Sequence, residues 1–347
     1  MTPVNDVPAS KKIACAIFLL ALAFTSAFAK RADAQREHAD GASEKPEVHL
    51  FHVQGRVYML VGAGANITAQ VGDDAIILVD AGTAHMSEQV LAALGSLSRN
   101  PIEFIFNTSG DEDHIGGNST LAKAGHFISG LPGEETEASV VAHLALLDRL
   151  SANTGKGPAV PSDLWPTDTY DNDKWELFND EPVIVEHPHA AHSDGDSIVF
   201  FRRSDVISTG DIFTPRLYPM IELDKGGTIN GEIDALNRII DMMVPQENEE
   251  GGTYVIPGHG RACDRTDFVN YRDMVTIVRD RIADLISKGK TLEQVKAAKP
   301  TLDYDGIYGA DTGPWTTDMF ITAVYNDLSK QKSGQARKPG AQSKGDE

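Results

Sequence analysis

Hydrophobic positions in the first half of the chain form short β-branched runs, followed by longer runs with helical spacing. Four short runs have the length and composition of β-strands: VHLFHV from Val48, RVYMLV, NITAQV and AIILVD. The segment MSEQVLAALGSL has helical periodicity, IEFIFN is typical of a buried strand, and ASVVAHLALLDRLS predicts an amphipathic helix. The first half therefore predicts a group of strands covered by helices.

The second half repeats this order after a proline-rich connection, GPAVPSDLWP. The runs TDTY, WELF, PVIVEH, SIVFF and DVIST predict a second group of strands. A helix over INGEIDALNRIIDMM, a strand over TYVIP and a long helix over DFVNYRDMVTIVRDRIADLIS follow. Two successive groups of this kind favour an α/β fold in which two sheets pack face to face and helices cover the outer surfaces.

The N-terminal residues have the composition of a targeting segment. Lys11 and Lys12 precede the apolar run IACAIFLLALAF, and the small-residue stretch SAFA ends at Ala29. This pattern predicts a secretory signal peptide that is cleaved after Ala29, or after Ala34 if the stretch ADA is used instead. An uncleaved membrane anchor is the alternative, but the apolar run is shorter than the roughly 20 residues that span a bilayer.

The rest of the chain divides by composition into a folded region and two polar ends. We assign residues 1–29 to the signal peptide, 30–46 to a flexible leader and 47–290 to one folded domain. Residues 291–330 are assigned to a C-terminal helical extension packed on that domain, and residues 331–347 to a disordered tail. Secretion, most simply into a bacterial periplasm, is the expected location.

The charge and the cysteine content narrow the expected partners. The formal net charge of −20 repels phosphate backbones and anionic lipid headgroups, so nucleic acid and membrane surfaces are not expected partners. A small molecule is the expected substrate. After signal cleavage Cys263 is the one remaining cysteine, which excludes an intramolecular disulfide, and a packing role for it is favoured over a nucleophilic one.

Residues that could take part in chemistry stand where the predicted strands end. Asn107 follows IEFIF, His192 lies beyond PVIVEH, Asp211 follows DVIST and His259 follows TYVIP. Loops at the ends of strands in layered α/β folds converge on one edge, where such folds place their functional sites. The sequence therefore predicts one polar site built from several distant loops.

Four motifs carry a resemblance to a known family: NTSGDEDHIGGN, AAHSDGDSIVFF, STGDIF and VIPGHG. In this order they are similar to the motifs of the metallo-β-lactamase fold hydrolases, and the resemblance extends over residues 48–287. It implies a four-layer αβ/βα sandwich. It also implies that Asp113, His114, Asp211 and His259 form one complete pocket for a divalent ion, with zinc favoured and iron or manganese possible.

The second metal pocket of the family is altered in this chain. Its positions are occupied by Ser109, Asp111 and His192, where the family pattern has three histidines. A serine hydroxyl is a poor ligand, whereas Asp111 offers a hard anionic donor. With Asp111, His192 and a bridging Asp211, a second ion could be held weakly, with a preference for metals that favour oxygen ligands.

The function implied by the resemblance is metal-dependent hydrolysis of an ester, lactone, amide or β-lactam. A metal ion activates the attacking water, and Asp113 is the expected catalytic residue because it can orient that water and carry its proton. Two alternatives remain open: an iron-dependent oxidoreductase on the same fold, and a catalytically inactive binding protein.

Overall fold

The computed structural model describes residues 47–128, 135–155, 157–245 and 251–336, and the structural statements below concern these residues. The predicted signal peptide, the whole of the predicted leader and most of the predicted tail lie outside them. Within the described ranges, no helix is long and apolar enough to cross a membrane.

The larger sheet has seven strands and combines an antiparallel half with a parallel half. Its antiparallel strands are β1 (His49–Gln54), β2 (Val57–Val61), β3 (Ile67–Val71) and β4 (Ile76–Val79). Strand β5 (Ile102–Phe106) follows β4 in the same sheet. The next two strands along the chain, β6 (Phe127–Ile128) and β7 (Glu135–Thr136), do not belong to this sheet and pair only with each other. The parallel half is completed by β8 (Ser139–His143) and β9 (Asp168–Tyr170), in the order β4-β5-β8-β9.

The smaller sheet has five strands in sequence order. They are β10 (Lys174–Phe178), β11 (Glu181–Glu186), β12 (Ile198–Phe201), β13 (Val206–Gly210) and β14 (Tyr254–Pro257). All neighbours are antiparallel except β13 and β14, which are parallel because helix α5 (Ile229–Met242) lies between them in the chain.

One group of helices covers the first sheet, and a second group, which includes the two longest helices of the described chain, covers the second sheet. The first group contains α1 (Ser87–Leu97), α2 (Glu112–Ile115), α3 (Asn118–Ala124) and α4 (Leu144–Ser151). Besides α5, the second group contains α6 (Arg265–Ser287), α7 (Leu292–Ala297), α8 (Asp305–Tyr308) and α9 (Thr317–Ala336). Helix α9 continues past residue 330, where the sequence predicted the disordered tail to begin.

Alternating side chains of β12 show how the layers are built. Val199 and Phe201 join a core shared with Val57, Ile77 and Phe106 of the first sheet. Ile198 and Phe200 point the other way, into a core formed with residues of α5, α6 and α9. A third core lies between the first sheet and α1 and α3. The predicted order of helices, sheet, sheet and helices is therefore confirmed.

The amphipathic helix predicted over residues 138–151 is only half correct. Its first part is strand β8, which pairs in parallel with β5, with Ile105 opposite Val140 and Phe106 opposite Val141. The two β-branched valines are buried in the sheet, and burial against β5 outweighs the helical spacing of the apolar residues. The helix begins only at Leu144, where the side chain of His143 accepts a hydrogen bond from the backbone N–H of Ala145.

The strand TDTY belongs to a different sheet than the sequence predicts, whereas Cys263 is buried as predicted. The run TDTY was placed in the second group of strands, but β9 pairs with β8 at the edge of the first sheet, with Ala142 opposite Thr169. A run this short carries no pattern that selects its partner. Cys263 is 1% exposed, which confirms its packing role, and burial raises the pKa of its thiol to about 12.

Candidate metal centre

The loop after β5 is held in shape by its own amide groups and by a close glycine contact. The side chains of Asn107 and Asn118 donate hydrogen bonds to each other, with N···O distances of 3.1 and 2.8 Å. A Cβ atom on Gly117 would lie 2.2 Å from the carbonyl oxygen of Ala81. Only glycine therefore allows α2, which carries Asp113 and His114, to lie this close to the end of β4.

His114 is fully buried, and Asp80 fixes the orientation of its ring. The Nδ1 atom of His114 donates to Oδ2 of Asp80 over 2.9 Å. Asp80 is held in turn by Thr108, whose backbone N–H and hydroxyl donate to it over 2.8 and 2.6 Å. With Nδ1 used in this way, Nε2 is the ring nitrogen that faces the pocket, an arrangement typical of metal-binding histidines.

The strand ends β13 and β14 bring Asp211 and His259 to the same place. A Cβ atom on Gly258 would lie 2.3 Å from Oδ1 of Asp211, so glycine at this position makes room for the carboxylate. The turn that carries His259 is clamped by Asn66, whose side-chain amide donates to the carbonyl oxygens of Pro257 and Gly260 over 2.9 and 2.8 Å.

These loops bring the four predicted ligands of the complete pocket together. Nε2 of His114 lies 3.1 Å from Oδ2 of Asp211, and Nε2 of His259 lies 3.2 Å from Oδ2 of Asp113 and 3.6 Å from Oδ1 of Asp211. Donor atoms of Asp113, His114 and His259 all lie within 4.8 Å of one another. The predicted convergence of the distant loops is thus observed in the structure, and we refer to these four residues as the main pocket.

The donor atoms of the main pocket fit a divalent ion. Nε2 of His114 and Oδ1 of Asp211 are buried, and neither has a hydrogen-bond partner in the part of the chain that the structure describes. Buried polar atoms without partners are costly, and an ion bound between them would satisfy both. Two imidazoles and two carboxylates are a donor set suited to zinc, iron or manganese.

The altered pocket contains Asp111 and His192 beside the shared Asp211, whose donor atoms also lie within 4.8 Å of one another. His192 is 1% exposed, and its Nδ1 atom lies 3.4 Å from Oδ1 of Asp196, which leaves Nε2 facing the pocket without a described partner. Ser109 is not part of this group. Its hydroxyl donates to Oδ2 of Asp111 over 3.3 Å, so it supports the aspartate.

Sequence reasoning did not identify four charged residues that contact the ligands of these pockets, namely Asp80, Asp196, Glu222 and Lys225. Asp80 ends the strand AIILVD, so its position at a strand end was a signal that could have revealed it. Glu222 and Lys225 lie in the segment IELDKGG, which carries no recognisable motif. Their side chains reach the altered pocket: Oε2 of Glu222 lies 3.6 Å from Nε2 of His192, and the Lys225 ammonium is paired with Asp111.

The pKa values reflect close pairs of opposite charges. For His114, burial opposes protonation, but Asp211 and Asp80 outweigh it and raise the imidazole pKa well above its usual value. Burial also acts against His192, yet Asp196 and other carboxylates raise its pKa to about 9. For Asp211, burial opposes ionisation, but His114 and the other nearby histidines hold its pKa well below the usual range.

Metal binding to the metal-free protein should therefore release protons. Because its pKa is raised well above the usual value, His114 holds a proton at pH 7 that an ion in the main pocket must displace. We expect metal affinity to fall as the pH is lowered from 8 to 6. Isothermal titration calorimetry in buffers with different ionisation enthalpies would measure this release, and a binding enthalpy that does not depend on the buffer would contradict it.

Comparisons with known proteins agree with this geometry. The chain is similar to a metallo-beta-lactamase from Pontibacter korlensis, with a TM-score of 0.51 and 14% identity over 66% of this chain and 99% of that chain. It is also similar to the stereoselective inverting sec-alkylsulfatase Pisa1 from Pseudomonas sp., with a TM-score of 0.57 and 19% identity over 80% of this chain. This match covers 50% of the sulfatase, and identities this low establish the fold alone.

No match was found among curated protein sequences. The family model of the metallo-beta-lactamase superfamily, however, matches residues 61–264, which include all seven positions of the two pockets. Its match covers more than half of the chain and agrees with the four-layer fold. The chain belongs to the metallo-beta-lactamase superfamily.

Proposed function

We propose that this protein is a metal-dependent hydrolase that uses activated water to cleave an ester, lactone, amide or β-lactam-like bond. The observation that carries the proposal is the main pocket, where two imidazoles and two carboxylates meet and two buried donor atoms make no hydrogen bond within the described residues. Its residues lie on three separate segments of the chain, after β5, β13 and β14, and the first and last of these are braced by hydrogen bonds that do not need an ion. The site is therefore preorganised for binding.

In this proposal His114, His259, Asp211 and Asp113 hold one divalent ion. Such an ion lowers the pKa of bound water toward about 7 and polarises a carbonyl or related oxygen. Asp113 has 34% of its side chain exposed and is thus accessible from the mouth of the pocket. Contact with His259 lowers its pKa against the effect of burial, so its carboxylate stays ionised and can accept a proton from water.

The identity of the metal separates the hydrolase from the two alternatives. Elemental analysis of protein purified from its native compartment should find close to one zinc ion per chain. Iron in that position would favour the oxidoreductase, and no bound metal would favour the binding protein. The zinc-loaded protein should then hydrolyse at least one member of a panel of esters, lactones, β-lactams and thioesters, to which a secondary alkyl sulfate is added because of the sulfatase similarity.

We further propose that the protein is exported and acts outside the cytoplasm, most simply in a bacterial periplasm. The support is the sequence of a charged N-terminal region, an apolar run and the SAFA stretch. N-terminal sequencing of protein recovered from the periplasmic fraction should find Lys30 as the first residue. A chain that begins at Met1 in a washed membrane fraction would instead indicate an uncleaved anchor.

A further inference from the structure

A short turn holds Glu222 and Lys225 over the altered pocket. Its 3-10 helical residues are Leu223–Lys225, and the backbone N–H of Glu222 donates to the carbonyl oxygen of His192 over 3.0 Å. The carbonyl oxygen of Lys225 accepts from the backbone N–H of Asp194 over 2.9 Å and from the guanidinium of Arg149 over 3.0 Å. The turn is therefore fixed to the loop that carries the candidate ligand.

The glycine that follows the turn strengthens this attachment. Gly226 has a φ of 84°, which side chains rarely adopt, and a Cβ atom on it would lie 2.7 Å from Oδ2 of Asp194. Asp194 is in turn paired with Arg149. The backbone of Lys225 is thus fixed on both sides of the residue, and its side chain starts from a defined place beside the altered pocket.

The ammonium of Lys225 contacts the same carboxylates that would hold a second ion. It is paired with Oδ1 of Asp111 and lies 2.7 Å from Oε2 of Glu222. Nε2 of His192 faces the same two groups, at 3.9 Å from Oδ2 of Asp111 and 3.6 Å from Oε2 of Glu222. A cation is therefore already present where these three side chains converge.

We propose that the Lys225 ammonium is the resident cation of the altered pocket and takes the place of a second metal ion. Two carboxylates then share one fixed positive charge, and a divalent ion placed between them would be repelled by that charge at short range. The protein would accordingly hold one divalent ion, in the main pocket. This inference rests on the proposed function only in that it assumes the main pocket binds metal.

Access does not limit the altered pocket. Glu222 and Lys225 also line an open cavity of about 650 Å³ between their turn and α9. The side chains of Asp111 and Lys225 are themselves 27% and 35% exposed, so an ion in solution can reach the altered pocket and its exclusion depends on charge. Removing the charge while keeping the length of the side chain should therefore allow a second ion to bind through Asp111, His192 and Asp211, with Glu222 beside them.

The test is the metal content of Lys225→Met after removal of metal and reloading with excess Zn²⁺. The wild type should retain one ion per chain and Lys225→Met should retain two. Lys225→Gln is neutral but can still hydrogen bond to both carboxylates, and it should also gain an ion. It provides an independent result if the methionine variant does not fold. Lys225→Arg keeps the positive charge and should retain one ion per chain. The surface control Lys288→Met removes a lysine that pairs with Asp284 on α6, and it should also retain one ion per chain.

A spectroscopic measurement separates a second specific ion from loose binding. Reloaded with Mn²⁺, Lys225→Met should give the electron paramagnetic resonance signal of a coupled pair, because Asp211 would bridge the ions, while the wild type should give that of an isolated ion. Two ions in the wild type, or no gain in either neutral variant, would overturn the inference. A wild type without metal would overturn the proposed function instead, and the difference between variant and wild type would still test Lys225.

Discussion

Replacing His114 with alanine should remove the divalent ion from the main pocket and abolish hydrolysis. The imidazole is fully buried, its Nε2 atom faces Asp211 across the pocket without a hydrogen bond in the described chain, and Asp80 fixes its orientation. Loss of one of four ligands should weaken metal binding by more than the roughly 10- to 100-fold typical of changes to residues that only orient a ligand. Elemental analysis after gel filtration and the hydrolysis rate measure the two effects.

Two companion variants make this result specific. His259→Ala should give the same loss, because its ring lies opposite that of His114 across the pocket, with ring centroids 5.9 Å apart. His52→Ala is the matched control: this histidine is exposed on β1 and should affect neither metal content nor rate. If both pocket variants folded and kept their metal and activity, the ligand assignment would be wrong.

Asp113→Asn should lower the rate of hydrolysis by about 10²- to 10⁴-fold when metal is saturating, the range typical of a lost proton acceptor. Asparagine keeps the size and one oxygen donor of the side chain but cannot accept a proton from water at neutral pH. The loss should therefore be in kcat, measured at metal concentrations high enough to offset any weaker binding. Glu112→Gln provides the control, because the neighbouring glutamate is exposed and lies in neither pocket.

The pH dependence of Asp113→Asn also tests whether Asp113 acts as the proton acceptor. If Asp113 acts as a proton acceptor, the asparagine variant should lack the fall in rate that the wild type shows as the pH drops through the pKa of this carboxyl. That pKa is lowered from its usual value, so the fall belongs at acidic pH. A metal-loaded Asp113→Asn protein within a few fold of the wild-type rate would limit Asp113 to a structural role.

Two of the ligands that the sequence predicted follow strand ends, and the two on α2 were predicted from the motif resemblance. A buried strand leaves a clear apolar signature, and a polar residue directly after it must emerge at the edge of the sheet, as Asp211 and His259 do. The glycines that flank the ligands in the motifs also indicated close packing around the site. Gly117 and Gly258 stand where a Cβ atom would collide with a neighbouring backbone or side chain.

Predictions from local pattern failed where tertiary contacts decide the conformation. Val140 and Val141 belong to a segment with helical spacing, yet parallel pairing with β5 draws them into the sheet. The three residues of β9 are too few to show which sheet they join. In both cases the deciding partner is another strand, and its position is not encoded in the local sequence.

The relation between Lys225 and Asp111 lay furthest beyond sequence reasoning. The two residues are 114 positions apart, and nothing in the composition of IELDKGG marks it as part of a metal centre. Their pairing depends on the turn over residues 223–225 being fixed to the loop of His192. The motif indicated that the second pocket was altered, but only the three-dimensional structure shows which positive charge occupies it.

Anomalous X-ray diffraction from zinc-loaded crystals, recorded on both sides of the zinc absorption edge, tests the central claim most directly. We expect one strong peak at about 2.0–2.3 Å from Nε2 of His114, Nε2 of His259 and a carboxylate oxygen of Asp211. Zinc-loaded crystals without a peak shared by His114 and His259, or with zinc bound only elsewhere, would contradict the account.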